Sequence, residues 1–99
     1  ALAKANENSW RILFSIANVF SYNEYFKEAI PMWQKTFDCM PKPRYTDSFE
    51  AMAQCCVRMG DHESAVEYYK KELELLREDW GLKYGAEVDA LEEKIRALQ

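Results

Sequence analysis

Four side chains could act as nucleophiles, soft metal ligands or proton carriers near neutral pH: Cys39, Cys55, Cys56 and His62. Their spacing argues against each use. None of the cysteines lies in a CxxC or Cys/His ligand pattern, and three thiols cannot all pair within one chain. Cys55 and Cys56 are neighbours. On a helix they point about 100° apart, which suits neither a disulfide nor a shared metal. No basic residue is expected beside them to lower a thiol pKa. The expectation is three reduced thiols that behave as small apolar residues, in a reducing, cytoplasmic setting. His62 falls in the first turn of an expected helix, at a core-stripe position, and is read as packed or half-exposed.

Other chemistries fare no better. The glycines stand singly at Gly60, Gly81 and Gly85, so no glycine-rich phosphate loop exists. The 17 acidic residues are spread among Lys and Arg on expected helix surfaces rather than paired across a cleft. Runs such as Glu72-Leu73-Glu74 and Glu92-Glu93 read as solvated faces, supported by i, i+4 pairs such as Glu67–Lys71 and Glu92–Arg96. No enzyme, cofactor or metal centre is expected. A net charge of −4 argues against gripping nucleic acid or an anionic membrane. No apolar stretch is long enough to span a bilayer. The amino end lacks the basic and apolar regions of a signal peptide. The chain starts without Met, which leaves room for a longer parent protein.

The elements that must position any site are legible in a repeat. Shifted by 36 residues, Leu13, Ile16, Ala17 and Phe20 overlay Phe49, Met52, Ala53 and Cys56. Both sets run i, i+3, i+4, i+7, the stripe of a buried helix face. Phe26, Ala29, Ile30, Trp33 and Phe37 likewise overlay His62, Ala65, Val66, Tyr69 and Leu73. The unit is helix, turn, helix, occurring twice. Asp47 with Glu50 reads as a capping box, Gly60 as a helix stop, Asp61 as the next cap, and Ser21 with Glu24 as the matching turn. Pro41 and Pro43 break the chain between units. Helices are expected near 7–21, 24–39, 46–59 and 62–79. A fifth follows at about 86–98, with Val88, Leu91, Ile95 and Leu98 on one face. Pro31 should kink the second helix or disorder its first turn. With 99 residues, 48% hydrophobic and only 3 Gly and 3 Pro, the chain suits one small all-α domain and not a turn-rich β fold.

These residues resemble the tetratricopeptide repeat (TPR) family. The second unit carries Ala53, Cys56, Gly60-Asp61-His62, Ala65 and Tyr69. The first carries Ala17, Phe20, Glu24-Tyr25-Phe26, Ala29, Trp33 and the closing Pro41. The departures are Glu24 where glycine is usual, Pro31, and Cys56 and His62 where aromatics are common. The resemblance implies two antiparallel helix-hairpin units, about 7–41 and 46–79, and a capping helix at about 86–98, together a short α-solenoid. It implies a non-catalytic protein-interaction module that grips a peptide or a partner helix on its concave face. Residues 41–47 and the segments 78–82 and 85–89 are also similar to TPR segments of cytoplasmic bacterial proteins, some of which follow a helix-turn-helix domain. The alternative function is therefore a regulatory or dimerisation domain of such a regulator.

In this family the first helix of each unit lines the concave side. The residues opposite the core stripe are Arg11, Phe14, Asn18, Ser21 and Tyr22 on the first helix and Asp47, Glu50, Ala51, Gln54 and Arg58 on the third, and all but Ser21 and Ala51 are the candidate binding residues. Phe14 and Tyr22 are expected to be partly exposed, or else to cover neighbouring side chains or residues 1–8. Asn18 matches one position of the carboxylate clamp of chaperone-binding relatives. Phe14 replaces a lysine of that clamp, and Asp47 with Glu50 would repel a terminal carboxylate. The expected partner is a protein or peptide, neutral or basic, with an apolar anchor beside Phe14. Trp10 and Trp80 are expected to close the ends of the core or to anchor a neighbour, leaving room for self-association.

Overall fold

The computed structural model describes residues 2–99, with side chains described from Trp10 onward. The expectation that Phe14 or Tyr22 covers residues 1–8 lies outside the described side chains. The fold is all-α, with five helices: α1 (Leu2–Tyr22), α2 (Phe26–Asp38), α3 (Asp47–Arg58), α4 (His62–Trp80) and α5 (Ala86–Leu98). No strand occurs among the described residues. Each helix packs on the next in chain order, and α1 also reaches α3.

The helix ends follow local chemistry, with one correction to the expected caps. Asp61 caps α4, its side chain accepting the Ser64 amide at 3.1 Å. Asp47, by contrast, is not a cap. Thr46 holds that position without a side-chain bond, and Asp47 is the first helical residue. Ser21 and Glu24 form the turn after α1, the Glu24 amide donating to the Ser21 carbonyl at 3.1 Å, and Ser21 Oγ accepts the Trp33 Nε1–H at 2.8 Å, tying α1 to α2. The left-handed turn that Gly60 supplies after α3 (φ 81°) is supplied after α1 by Glu24 (φ 67°), which is costly for a residue with a Cβ. The α2 helix runs through Pro31 unbroken from Phe26. Pro31 is exposed and sits in its second turn, so the carbonyl left without a partner is that of Lys27, near the helix start.

The interior is two clusters rather than one. Ala17, Ala29, Trp33, Phe37, Phe49 and Met52 form the first. Ala53, Cys56, Ala65, Tyr69, Leu76 and three α5 residues, Val88, Leu91 and Ile95, form the second. Ile30 and Tyr68 touch both and join them. The alanines are fully buried, so the helices approach closely where they pack. Each large side chain enclosed here contributes about 1.5–3 kcal/mol.

One stripe departs from expectation. Ile16 is 37% exposed, and Ile12 and Val19 are 61% and 59% exposed. Their counterparts 36 residues on, Met52, Ser48 and Cys55, are buried. The pattern is the same, but α2 covers that side of α3, and among the described residues no helix covers that side of α1. His62 is exposed rather than packed.

The connection between α2 and α3 is held by a bidentate ion pair. Arg44 Nε donates to Asp79 Oδ2 at 2.9 Å and Nη2 to Oδ1 at 3.1 Å, and the Arg44 amide adds a third bond at 2.9 Å. The Asp79 side chain is 1% exposed. These bonds from Arg44 hold its carboxyl down at about 2. Trp10 and Trp80 do not close opposite ends of the core. They meet on either side of Tyr45, with ring centroids 5.8 and 6.4 Å from it, and Trp80 Nε1–H donates to the Arg44 carbonyl at 2.7 Å.

Candidate functional site

A cleft of about 520 Å³ opens between α1, α3 and α5, with Trp33, Glu72 and Leu76 at its base. Helix α1 brings Phe14 and Asn18. Helix α3 brings Asp47, Glu50, Ala51 and Gln54, spaced so that they share one face. Helix α5 closes the far wall with Glu87, Ala90, Leu91 and Lys94. Five of the eight expected residues therefore meet here: Phe14, Asn18, Asp47, Glu50 and Gln54.

The other three do not line this cleft. Tyr22, at the end of α1, is 89% exposed. Arg58 donates to Glu24 Oε1 at 2.6 Å and lies 5.1 Å over the Phe26 ring. Arg11 lies 5.0 Å over Trp10. Phe14 is partly exposed and also covers neighbouring side chains. It is half-buried, set edge-on against Trp33 at 5.0 Å and against Trp10 at 6.4 Å, so it forms a wall of the cleft and also supports the core.

The electrostatics centre on Glu50. It accepts from Lys94 Nζ at 2.7 Å and from Gln54 Nε2 at 3.1 Å, both at Oε1. Burial opposes its ionisation, but the bonds from Lys94, Glu72 and Gln54 outweigh that and hold its carboxyl below the usual range. Lys94 is pushed up by the same Glu50 contact. Glu72 behaves in the opposite way. Burial, then the neighbouring Glu50 carboxylate, raise its carboxyl to about 9. It therefore carries its proton at neutral pH and shares it with Glu50. Its Oε1 is buried, and no N–H or hydroxyl of another residue donates to it.

Glu72 was the residue missed by reading the sequence. A Glu-Leu-Glu run suggests a solvated face, yet Glu72 is 6% exposed. The available signal was register. Glu72 sits three residues after Tyr69 and four before Leu76, and 36 residues after Thr36, which is also fully buried. The expected surface pairs are corrected too: Arg96 pairs with Glu93 at 2.8 Å rather than with Glu92, and Lys71 lies over the Tyr68 ring instead of bonding Glu67.

Burial raises the thiols of Cys55 and Cys56, which leaves both weakly nucleophilic. All three cysteines are free. Among the described residues, no cluster of three or more His, Cys, Asp or Glu is arranged to hold a metal ion, and no helix is long and apolar enough to cross a membrane. The cleft can therefore bind through apolar walls, amide groups and carboxylates. Compared with known proteins, the chain matches no family model and no curated protein sequence.

Proposed function

We propose that this chain is a TPR-like, non-catalytic interaction domain, a short α-solenoid of two hairpins and a capping helix, that binds a peptide in the cleft between α1, α3 and α5. The observation that carries the reading is the cleft itself. It is open, about 520 Å³ in volume, and lined by helices one, three and five of a consecutively packed series. Asn18 and Gln54 are exposed on its walls, where their amides can hold a peptide backbone. Phe14, Ala51 and Leu91 offer apolar contact. Asp47, Glu50 and Glu87 outnumber Lys94, which favours a neutral or basic partner over an acidic one. The three unpaired thiols, two of them buried, fit a reducing, cytoplasmic setting.

The test is binding of the parent sequence to an arrayed set of blocked peptides, followed by Asn18→Ala and Gln54→Ala. Each change should weaken the best peptide several-fold and leave the helical circular dichroism intact. Unchanged affinity in both would remove the cleft as the binding surface.

A second reading, a dimerisation or regulatory segment, draws on a different observation. The exposed row Ile12, Ile16 and Val19 is an apolar face suited to a second copy of α1. Sedimentation equilibrium of the wild type and Val19→Lys decides it. A dimer lost in the variant supports self-association, and a monomer throughout removes it.

A further inference from the structure

The geometry points to a second binding site, a hollow between the start of the described side chains of α1, the α2–α3 connection and the end of α4, that takes a small planar aromatic carboxylate. It shares no lining residue with the cleft between α1, α3 and α5.

The hollow holds about 480 Å³, within the range of small-molecule sites and large enough for one or two fused rings. Trp10, Tyr45 and Trp80 line it, converging from three segments of the chain. The fold leaves these rings partly uncovered, with Tyr45 51% and Trp80 47% exposed. Aromatic surface of this kind takes another ring by offset or edge-on stacking. A flexible aliphatic chain would lose rotamer freedom on entry, a cost that a rigid ring does not carry.

The charge of the hollow selects the other half of the ligand. Arg11 and Lys42 are its charged lining residues, and no carboxylate lines it. That is a local reversal in a chain whose net charge is −4. Among the described residues, neither cation is in an ion pair. Asp79 lies within electrostatic reach of Lys42, but both its oxygens are engaged by Arg44. Asp47 lines an adjoining hollow with Trp10, Arg11 and Tyr45, and not this one. A cationic ligand is therefore disfavoured, while an anion joined to the ring meets opposite charge in the same hollow. A carboxylate matches the planar fork of Arg11. A phosphate is served less well, because Pro41 and Pro43 bring no backbone N–H to cradle it.

The walls are held in place by the fold itself. Pro41 and Pro43 fix the backbone of the connection at two points. Arg44 ties the same connection to Asp79 through its amide and its guanidinium, and Trp80 Nε1–H donates to the Arg44 carbonyl at 2.7 Å. Binding to a wall fixed in this way orders little of the protein, so little of the gain from stacking and ion pairing is offset.

The experiment uses the full chain with naphthoate, its neutral amide, cyclohexanecarboxylate and adenosine monophosphate as probes. The indole N–H NMR signals of Trp10 and Trp80 report binding in the hollow, and that of Trp33, at the base of the cleft, serves as internal control. Naphthoate should move the Trp10 and Trp80 signals, bind about tenfold more tightly than its amide or cyclohexanecarboxylate, and weaken as salt is raised. Arg11→Gln combined with Lys42→Gln should bring naphthoate down to the affinity of its amide, with the helical circular dichroism unchanged. Equal affinity of the wild type for naphthoate and its amide, or naphthoate binding that survives the double change, overturns the role of the two cations and with it the site. Tighter binding of adenosine monophosphate overturns the carboxylate in favour of a phosphate. Shifts confined to Trp33, or no shift with any probe, overturn the hollow as a binding site and leave the peptide reading of the cleft standing.

Discussion

Glu72→Gln keeps the size of the buried side chain and deletes its ionisation. The unfolded chain releases this proton near 4.5, whereas the folded chain holds it up to about 9. Between those values the folded state binds more protons than the unfolded state, so stability falls as pH rises. It is highest below the unfolded value, and the loss is complete above the folded one. Across the interval from about pH 5 to about pH 8 the loss amounts to about 4 kcal/mol for a single group. Glu50 and Asp79 have the opposite sign, since their carboxyls are held low, and their contributions disappear only on acidification below the interval. Set against a total stability of about 5–15 kcal/mol, the effect is large and should move the melting temperature by about 15–30 °C. The assay is urea denaturation followed by circular dichroism at several pH values in that range. The wild-type midpoint should fall steadily, and that of Glu72→Gln should stay nearly flat and lie above it at the alkaline end. Two midpoints falling in parallel, or a flat wild type, would refute the buried protonated carboxyl.

Other substitutions test the packing. Asp79→Asn leaves Arg44 without its bidentate partner and should cost about 2–4 kcal/mol in urea at neutral pH, while in the wild type the pair should persist until the pH falls through about 2. Met52→Ala should cost about 2–5 kcal/mol, whereas Ile16→Ala, at the equivalent register, should cost about 1 kcal/mol, because only the first side chain is enclosed. Phe14→Ala should lose about 2–4 kcal/mol of stability through its contact with Trp33, and Tyr22→Ala should stay within about 0.5 kcal/mol of the wild type, both read from thermal melts.

Reading the sequence located the helices because their apolar spacing is local. Ala17, Ala29, Ala53 and Ala65 fall where helices touch, and Val88, Leu91 and Ile95 form the buried face of α5. What escaped was set by neighbours distant in the chain. Ile16 repeats the pattern of Met52, yet its exposure depends on whether another helix lies alongside. Trp10, Tyr45 and Trp80 come together from three segments, and no spacing within one helix could have signalled that. Glu72 was misjudged by residue type, although its register with Thr36 marked an inward position. Of the candidate binding residues, Phe14, Asn18, Asp47, Glu50 and Gln54 converge on the cleft, while Arg11 and Arg58 turn to other contacts and Tyr22 to solvent.

The central claim is that the face formed by α1, α3 and α5 receives a peptide. Amide NMR mapping with the best-binding member of the blocked-peptide array addresses it directly. The account predicts shifts concentrated at Asn18, Glu50, Gln54, Ala90 and Lys94. Shifts confined to the Ile12–Val19 row, or to the exposed surfaces of α2 and α4, would contradict it.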